Sequence, residues 1–472
     1  MRDMLTINFD LLSKPVDPIF SMNKNEVQIY KKLVQRILRG YFWCMKIGII
    51  KEYKNPPDKR VVFSPQKCIE IVKNFPSVKF LVESSDIRCF SDDEYESMGL
   101  EISDDLSKCD ILIGVKEVPI EKLIANKKYF FFSHTIKKQP YNKKLLQEIL
   151  RKNIQLYDHE TIVDKSNNRL IGFGYYAGVI GAYNGLRTYG LKKNLFVTPK
   201  AIELKDRFEF NKTLKQIKIP NIKILLSGKG RVGSGTKEVL DFLKIKQVSP
   251  VDFIDKHFDE PVYTNIDVLD YNYSSLIDNS ISNFYNFPEK FESTFSKFSS
   301  VADIYFAGHY HNPKAPKLIT LQNIKEVGFN IDVIADISCD IDGPIACTIR
   351  PSTIDNPIYG FHKSDFIECD FLDPNAIAVM AVDNLPCELP RDSSEMFGEM
   401  FLKYVIPSFF NDDKDDILKN SQMTSNGRLT TRFKYLFDYV LNDYECFNCG
   451  QEIHKDDAKI CEDMCPDCLE GI

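Results

Sequence analysis

Ionisable side chains follow apolar runs at several points in the first half of the chain. Lys116 and Glu117 come directly after the run ILIGV, and His134 follows YFFFS, so each stands where a buried strand is predicted to end. Burying an ionisable group costs free energy unless the group is paired or used in chemistry. A lysine and a histidine at such positions could transfer protons near neutral pH. Taken singly, these residues leave other interpretations open: Lys116 and Glu117 as a plain ion pair, His134 as a satisfied strand-end histidine and Arg60 as a surface charge.

A glycine-rich turn opens the second half of the sequence. The apolar run IKILLS is followed by GKGRVG and then by an amphipathic pattern typical of a helix. Glycines at this spacing let the backbone approach a pyrophosphate, and the helix N-terminus supplies partial positive charge to the anion. The pattern predicts an NAD(P)-binding turn formed by Gly228, Gly230, Arg231, Val232 and Gly233. A glycine-rich structural turn is the alternative.

An acidic residue about 20 positions beyond such a turn commonly binds the ribose hydroxyls of the cofactor. Asp252 and Asp255 stand near that distance, and either would favour NAD over NADP. No arginine stands beside them to receive the 2′-phosphate of NADP, but Lys256 and His257 do. The sequence therefore favours NAD and leaves NADP open.

Four cysteines near the C-terminus form a metal-ligand pattern. Cys446, Cys449, Cys465 and Cys468 have the spacing C-x2-C-x15-C-x2-C, which lets two short turns present four thiolates to zinc. Four thiolates close the coordination sphere, so the predicted site is a structural zinc in a small zinc-ribbon-like tail. A disordered thiol-rich tail is the alternative. Upstream of the tail the cysteines are scattered singly, as expected of buried thiols in a reducing cytoplasm.

Strand-like and helix-like segments alternate along most of the chain. This alternation predicts an α/β fold with two Rossmann-like domains, each a doubly wound parallel sheet, and an active-site cleft between them. We expect an N-terminal appendage over residues 1–44, a discontinuous substrate and catalytic domain over 45–174 and 362–440, an NAD(P)-binding domain over 175–361, and the cysteine-rich tail over 441–472. The segment QVSPVDFI is predicted to be a strand, and the apolar run from Ala376 is predicted to return to the first domain.

Composition limits the class of protein. Hydrophobic residues make up 43% of the chain and charged residues 27%, which is ordinary for a globular protein. No apolar run approaches the roughly 18 residues of a membrane span. A net charge of −6 gives no basic surface for nucleic acid. We therefore expect a soluble, cytoplasmic protein that binds small molecules rather than nucleic acid or a membrane.

Four motifs resemble those of one enzyme family. FFFSHTIKKQPYN, FGYYAGVIGAYNGLR, ADISCDIDGP and VDNLPCELPRDSSE resemble the lysine-forming saccharopine dehydrogenases and lysine–2-oxoglutarate reductases of the alanine dehydrogenase/PNT superfamily, over residues 45–409. The resemblance implies that Lys116 and His134 are the acid–base pair. It also implies that Arg60, Glu117, Glu160 and Arg169 surround the substrate and that Asp336 lies near the cofactor end of the cleft. The turn GKGRVG is one residue shorter than in the fungal saccharopine dehydrogenases, which again leaves NADP open.

The implied reaction is the reversible oxidative deamination of saccharopine to L-lysine and 2-oxoglutarate, with NAD as the expected cofactor. Hydrolysis of the imine formed from a secondary amine requires a water to lose a proton and an amine nitrogen to gain one. Cations such as Arg60 suit a substrate with several carboxylates. Glu117 and Glu160 could bind an ammonium group or restrain the charge of the lysine.

Two other functions remain as alternatives. One is an alanine dehydrogenase-like amino-acid dehydrogenase, which the segment VDNLPCELPRDSSE argues against. The other is a non-catalytic, nicotinamide-sensing interaction protein, which the intact Lys116, His134 and Arg60 argue against. Either direction of the reaction and any oligomeric state fit the sequence.

Overall fold

Two large sheets with helices on their faces and two small two-stranded sheets make up the described part of the chain, residues 44–54 and 56–440 of a computed structural model. The α/β class is confirmed. The strands are β1 Met45–Ile49, β2 Val78–Val82, β3 Glu101–Ile102, β4 Ile111–Ile113, β5 Lys128–Phe131, β6 Gln155–Asp158, β7 Lys223–Ser227, β8 Lys246–Gln247, β9 Val262–Ile266, β10 Asn272–Tyr273, β11 Glu292–Ser293, β12 Ile304–Ala307, β13 Val333–Asp336, β14 Ile358–His362, β15 Glu368–Cys369, β16 Ala376–Met380, β17 Thr424–Ser425 and β18 Arg428–Leu429. The α-helices are α1 Pro65–Asn74, α2 Asp92–Ser97, α3 Lys143–Arg151, α4 Gly174–Lys192, α5 Arg207–Leu214, α6 Arg231–Phe242, α7 Pro250–Asp255, α8 Ile281–Asn286, α9 Ser296–Ser299, α10 Leu321–Lys325, α11 Pro390–Tyr404, α12 Ile417–Ser421 and α13 Phe437–Val440.

The first sheet has six parallel strands in the order β3-β2-β1-β4-β5-β6. Helices α1 and α11 contribute to the apolar cluster on one face, and α3 contributes to the cluster on the other. A parallel sheet covered on both faces needs apolar side chains on both, which explains why its strands read as continuous apolar runs. The polar residues that follow these runs are therefore left at the carboxyl edge of the sheet.

The second sheet has eight strands in the order β15-β14-β16-β13-β12-β7-β9-β8. The strands from β16 to β8 are parallel, whereas β14 and β15 form an antiparallel edge. Apolar clusters again cover both faces. β7, which carries the glycine turn at its carboxyl end, lies between β12 and β9 in the interior of the sheet.

The chain returns to the first domain later than predicted. β16 pairs in parallel with β13 and antiparallel with β14, so the run from Ala376 belongs to the second sheet and the expected boundary at residue 362 is wrong. An apolar run does not encode which of two sheets it joins. The chain returns to the first domain after the 3-10 turn Leu385–Glu388. Helix α11 follows this turn, and its Phe397 and Phe401 pack in the core of the first domain.

The predicted strand QVSPVDFI is mostly helical. In this part of the chain the strand pairing is limited to β8, Lys246–Gln247, which pairs with β9. Helix α7 then begins at Pro250. Ser249 is the N-cap of α7, and its side chain accepts a hydrogen bond from the backbone N–H of Asp252 at 3.1 Å. A serine cap followed by proline at the first helical position is a strong helix start signal, and here it outweighs the β-propensity of the valine and isoleucine.

Helices α4 and α6 pack closely because glycines face each other. A Cβ on Gly178 would overlap the backbone oxygen of Val232, and a Cβ on Gly235 would overlap a backbone oxygen of α4. Arg231, the first residue of α6, donates a hydrogen bond to the backbone oxygen of Arg169. The start of α6 therefore contacts the first domain directly.

Within residues 44–54 and 56–440, no helix is long and apolar enough to cross a membrane. The predicted zinc ligands Cys446, Cys449, Cys465 and Cys468 lie outside the described residues, as does the appendage up to residue 43. The described part of the chain contains no group of His, Cys, Asp and Glu side chains arranged to hold a metal ion.

Candidate active site

The carboxyl ends of neighbouring strands bring the predicted catalytic residues to one edge of the first sheet. Lys116 and Glu117 follow β4, His134 follows β5, and Glu160 lies just beyond β6. These three strands are parallel neighbours, so their ends meet at the same edge. Arg60 comes from the loop after β1, which is the other neighbour of β4. The fold thus gathers residues that are up to 100 positions apart in the chain.

Glu117 links two basic side chains. Its Oε2 lies 3.2 Å from Nδ1 of His134, and its Oε1 accepts a hydrogen bond from Nζ of Lys54 at 2.8 Å. Burial favours the neutral acid, but the hydrogen bonds from His134 and Lys54 outweigh burial and lower the pKa of Glu117 to about 2. Glu117 is therefore a carboxylate at neutral pH, and a carboxylate on Nδ1 fixes the orientation and tautomer of an imidazole.

His134 has a left-handed backbone, with a φ of 54°. This conformation is uncommon for residues other than glycine and is often found at functional sites, where the surrounding structure enforces it. The imidazole stacks on Phe132 with the ring centroids 6.3 Å apart and the planes 17° from parallel. The turn after β5 and this aromatic contact together hold the imidazole against Glu117.

A buried carboxyl group holds the backbone of Lys116. Glu52 accepts the N–H of Val115 at 2.6 Å and the N–H of Lys116 at 2.8 Å. Burial and the charge of Asp58 raise the pKa of Glu52 to about 8, although these two hydrogen bonds oppose the rise. Burial and the charge of Arg60 lower the pKa of Lys116. A lowered pKa increases the fraction of the neutral amine, which is the form of a lysine that accepts a proton.

Arg60 is buried against Asp58 rather than exposed as a surface charge. Asp58 accepts hydrogen bonds from Nε of Arg60 at 3.0 Å and from Nη2 at 2.5 Å. Arg60 is 3% exposed, and its guanidinium lies 4.2 Å from the centre of the Phe173 ring. Asp58 uses two of the five N–H donors of the guanidinium, which leaves the planar group able to bind a ligand carboxylate.

Arg169 lies where the substrate residues meet the cofactor turn. Its Nη1 is 3.7 Å from Oε1 of Glu160, and its guanidinium lies 5.3 Å from the centre of the Phe132 ring. Its backbone oxygen accepts the hydrogen bond from Arg231. The residues expected around the substrate and a residue of the expected cofactor turn are therefore in direct contact.

A cavity of about 250 Å³ adjoins Glu117 on the side of Lys54. Tyr53, Tyr141 and Asn142 provide further polar lining. A small polar ligand in this cavity could reach the Glu117 carboxylate, so the carboxylate faces both the imidazole of His134 and open space.

The glycine turn has the geometry that a nucleotide requires. Gly228 has a φ of +96°, and a Cβ on Gly233 would overlap the backbone oxygen of Gly228, so side chains are excluded at both positions. A Cβ on Gly230 would meet nothing within 4 Å, which leaves that side of the turn open. Gly230 caps α6 without a side-chain hydrogen bond, so the first N–H groups of the helix can bind an anion.

The acidic residue at the strand end beside this turn differs from those predicted. Asp252 and Asp255 lie on helix α7, where Asp252 pairs with Lys256 at 2.8 Å. The neighbour of β7 in the sheet is β9, and Asp267 follows β9 directly. Asp252 and Asp255 therefore lie on a helix and not at the strand end beside the turn, and their part in binding the ribose stays a prediction. Counting about 20 residues assumes that the next strand along the chain is the neighbour in the sheet, and here β8 and α7 intervene.

Asp336 ends β13, at the same edge of the second sheet as the glycine turn. Its Oδ1 accepts hydrogen bonds from the backbone N–H and hydroxyl of Ser338 at 3.1 and 2.6 Å, and its Oδ2 accepts one from Thr348 at 2.7 Å. Burial raises the pKa of Asp336. These contacts give the carboxyl group a role in shaping the loop between residues 337 and 348.

Two family models match the chain. The alanine dehydrogenase/PNT N-terminal domain matches residues 48–180, and the alanine dehydrogenase/PNT C-terminal domain matches residues 309–435. The chain belongs to the alanine dehydrogenase/PNT family. Membership implies NAD(P) binding and dehydrogenase chemistry, in agreement with the expectation from the sequence motifs.

Relatives of this family member include alpha-aminoadipic semialdehyde synthases and L-lysine-forming saccharopine dehydrogenases. The chain is 27% identical over 449 residues to the mitochondrial alpha-aminoadipic semialdehyde synthase of Rattus norvegicus, an alignment that covers 85% of this chain and 48% of that protein. It is 24% identical over 341 residues to the NAD(+), L-lysine-forming saccharopine dehydrogenase of Yarrowia lipolytica, covering 68% of this chain and 81% of the relative. The chain spans about half the length of the semialdehyde synthases it matches. Among solved structures, an L-alanine dehydrogenase has a TM-score of 0.57 at 16% identity, covers 84% of this chain and 100% of that one, and shares the two-domain fold.

The residues around the glycine turn of this alanine dehydrogenase/PNT family member fit a dinucleotide. His309, at the end of β12, is 7% exposed, and its Nδ1 lies 2.8 Å from Oγ of Ser227. Its buried Nε2 has no hydrogen-bond partner among the described residues. Its Cα would lie 2.9 Å from a Cβ on Gly228. A buried polar atom without a partner is costly, and a ligand bound at the turn would satisfy it.

Proposed function

We propose that this protein is an NAD(P)-dependent, L-lysine-forming saccharopine dehydrogenase that interconverts saccharopine with L-lysine and 2-oxoglutarate. The observation that carries the proposal is the arrangement of Lys116, Glu117 and His134 at one sheet edge beside the buried Arg60, in a family member whose relatives include lysine-forming saccharopine dehydrogenases. Proton transfer and carboxylate binding, which this reaction needs, are the two capacities that these residues provide.

Lys116 and His134 would carry the protons of the reaction. In the lysine-forming direction, a water must lose a proton to attack the imine carbon, and the departing amine nitrogen must gain one. A lysine whose pKa burial and Arg60 lower can accept the proton of the water. An imidazole held by Glu117 can exchange a proton with the nitrogen. When bound, the nicotinamide cofactor supplies the hydride chemistry.

Cations and carboxylates around this pair would bind the two ends of the substrate. Arg60 and Arg169 suit its carboxylates, since a guanidinium can bind a carboxylate through two parallel hydrogen bonds. Glu160 and the cavity beside Glu117 suit an ammonium group. Glu52 would hold the backbone of Lys116, and Asp58 and Phe173 would position the guanidinium of Arg60.

The cofactor would be held by the glycine turn, with Gly228, Gly230, Arg231, Val232 and Gly233 around the pyrophosphate. The proposal also includes a structural zinc on the four C-terminal cysteines. The eight cysteines of the described part are free thiols, which suits a reducing compartment such as the cytoplasm.

The test is a spectrophotometric assay at 340 nm with the purified full chain and NADH or NADPH. Absorbance should fall with lysine and 2-oxoglutarate together, and neither compound should suffice alone. A K116M variant should lose turnover by a factor of about 10² to 10⁴, whereas K122M, at an exposed lysine nearby, should retain it. Turnover with pyruvate and ammonia alone would instead identify an alanine dehydrogenase-like enzyme. Cofactor binding without any turnover would identify a nicotinamide-sensing protein.

A further inference from the structure

The strand beside the glycine turn is followed directly by an acidic residue that the turn itself contacts. β9 pairs with β7 along its whole length, from Lys223 opposite Val262 to Ser227 opposite Ile266. The N–H of Gly228 then donates a hydrogen bond to the backbone oxygen of Ile266 at 3.1 Å. The next residue, Asp267, is therefore fixed beside the turn by the backbone alone.

A polar cavity of about 520 Å³ opens on this side of the turn. Lys229, Gln247, Ser249, Asn265 and Asp270 supply its polar lining, and no arginine lines it. Oδ1 of Asn265 is buried and has no hydrogen-bond partner among the described residues. Because Asn265 lines the cavity, a bound ligand that donates hydrogen bonds, such as a nucleoside, would give this amide oxygen a partner.

The charges next to the cavity favour hydroxyl groups over phosphate. Oδ2 of Asp267 lies 3.6 Å from Nζ of Lys229, the lysine inside the glycine turn. Oδ1 of Asp267 accepts the N–H of Val268 at 2.8 Å, which orients the carboxylate. A carboxylate can accept hydrogen bonds from the two hydroxyls of a ribose, but it repels a 2′-phosphate. The negative charge of Asp270 adds to that repulsion. Lys229, the cation best placed to bind a phosphate here, is already paired with Asp267.

We propose that the Lys229–Asp267 pair selects NAD(H) over NADP(H) in this protein. Asp267 accepts hydrogen bonds from the hydroxyls of the adenosine ribose, and its pairing with Lys229 prevents that lysine from binding a 2′-phosphate. The inference rests on the proposed use of a nicotinamide cofactor and names the residues that choose between its two forms. Asp252, which the position in the sequence favours, is paired with Lys256 on helix α7 and has no part in the choice.

Binding of NADH and NADPH to the full chain without substrate tests the pair independently of turnover. Titrations followed by nicotinamide fluorescence should show that the wild-type chain binds NADH at least about ten-fold more tightly than NADPH. D267N keeps an oxygen for the N–H of Val268 and should bind NADH about ten-fold more weakly and NADPH several-fold more tightly. D267N/K229A should lose the gain for NADPH. D252N is the matched control and should change neither affinity.

Three results would overturn the inference. They are equal or tighter binding of NADPH by the wild-type chain, an unchanged ratio of the two affinities in D267N, and a changed ratio in D252N. A thermal melt of each variant without ligand checks that the fold is retained. Because no substrate is present, a chain that discriminates between the cofactors but fails the lysine assay would contradict the proposed reaction alone. A chain that binds neither cofactor would contradict both.

Discussion

The carboxylate of Glu117 contacts Nδ1 of His134 at 3.2 Å across the ends of two neighbouring parallel strands. Lys54 binds the other oxygen of the same carboxylate at 2.8 Å. The arrangement keeps a negatively charged carboxylate beside the imidazole at pH values above about 2, the value to which these contacts lower the pKa of Glu117. Glu117 thus links the imidazole of His134 to the positive charge of Lys54.

Replacing Glu117 by glutamine should weaken turnover. The amide keeps the shape of the side chain but removes the carboxylate that orients the imidazole of His134. At pH 7.5 the value of kcat/KM should fall about ten- to hundred-fold. Steady-state kinetics would measure the effect. E121Q, at an exposed glutamate, is the matched control, and an unchanged kcat/KM in E117Q would refute a role for the carboxylate.

Replacing His134 by asparagine should separate chemistry from backbone strain. Asparagine tolerates the left-handed φ of 54°, so H134N should fold at least as stably as H134A, with a difference of about 1 kcal/mol in its favour. Turnover should nevertheless fall by a factor of about 10² to 10⁴. Urea unfolding and steady-state kinetics would report the two effects.

Lys138 offers the control for this experiment, because it is exposed and has a φ of 57° in the same loop. K138N should leave turnover unchanged. Full turnover in H134N would show that the histidine is needed only for the conformation of the turn.

Replacing Glu388 by glutamine should remove a pH-dependent loss of stability. Glu388 accepts a hydrogen bond from Asn184 at 2.8 Å, and burial raises its pKa from the usual 4.5 to about 7. A carboxyl group whose pKa is raised on folding stabilises the folded state below pH 4.5, and this contribution is lost as the pH rises to about 7. E388Q should therefore be similar to wild type at pH 5 and more stable above pH 7, by about 3 kcal/mol. Urea unfolding at pH 5, 6, 7 and 8 would show diverging curves, whereas a constant difference between the two proteins would contradict the prediction.

The C-terminal cysteines should bind one zinc ion per chain. Elemental analysis of the purified full chain should give a ratio near one, and C446S/C449S should reduce it strongly, because two thiolates do not hold structural zinc tightly. A closed four-thiolate site has no position for substrate, so turnover should survive in the variant. Absence of zinc from the wild-type chain would exclude the site, and loss of turnover in C446S/C449S would give the tail a direct part in catalysis.

The alternation of segments and the polar residues at strand ends were sufficient to predict the α/β class and the glycine turn after β7. These features are encoded locally, by apolar runs, glycine spacing and the polar residues that follow them. The placement of Lys116 and His134 at the ends of neighbouring strands is also local in this sense, because consecutive parallel strands in an α/β sheet commonly lie side by side.

Features that depend on the order of strands in space were not predictable. Asp267 was missed because β9, not β8, lies beside β7. Glu52 and Asp58 were missed because their roles rest on contacts with Lys116, which is 64 residues away from Glu52, and with the buried Arg60. The assignment of β16 to the second sheet likewise depends on pairing with β13 and β14, which an apolar run does not specify.

Identification of the product by mass spectrometry tests most directly whether the protein forms saccharopine. The chain would be incubated with NADH, 2-oxoglutarate and lysine that carries heavy nitrogen at its ε position. We expect a secondary amine with the mass of saccharopine that retains the heavy nitrogen, formed at the rate at which NADH is consumed and absent with K116M. NADH consumption without this product, or alanine formed from pyruvate and ammonia in its place, would contradict the proposed reaction.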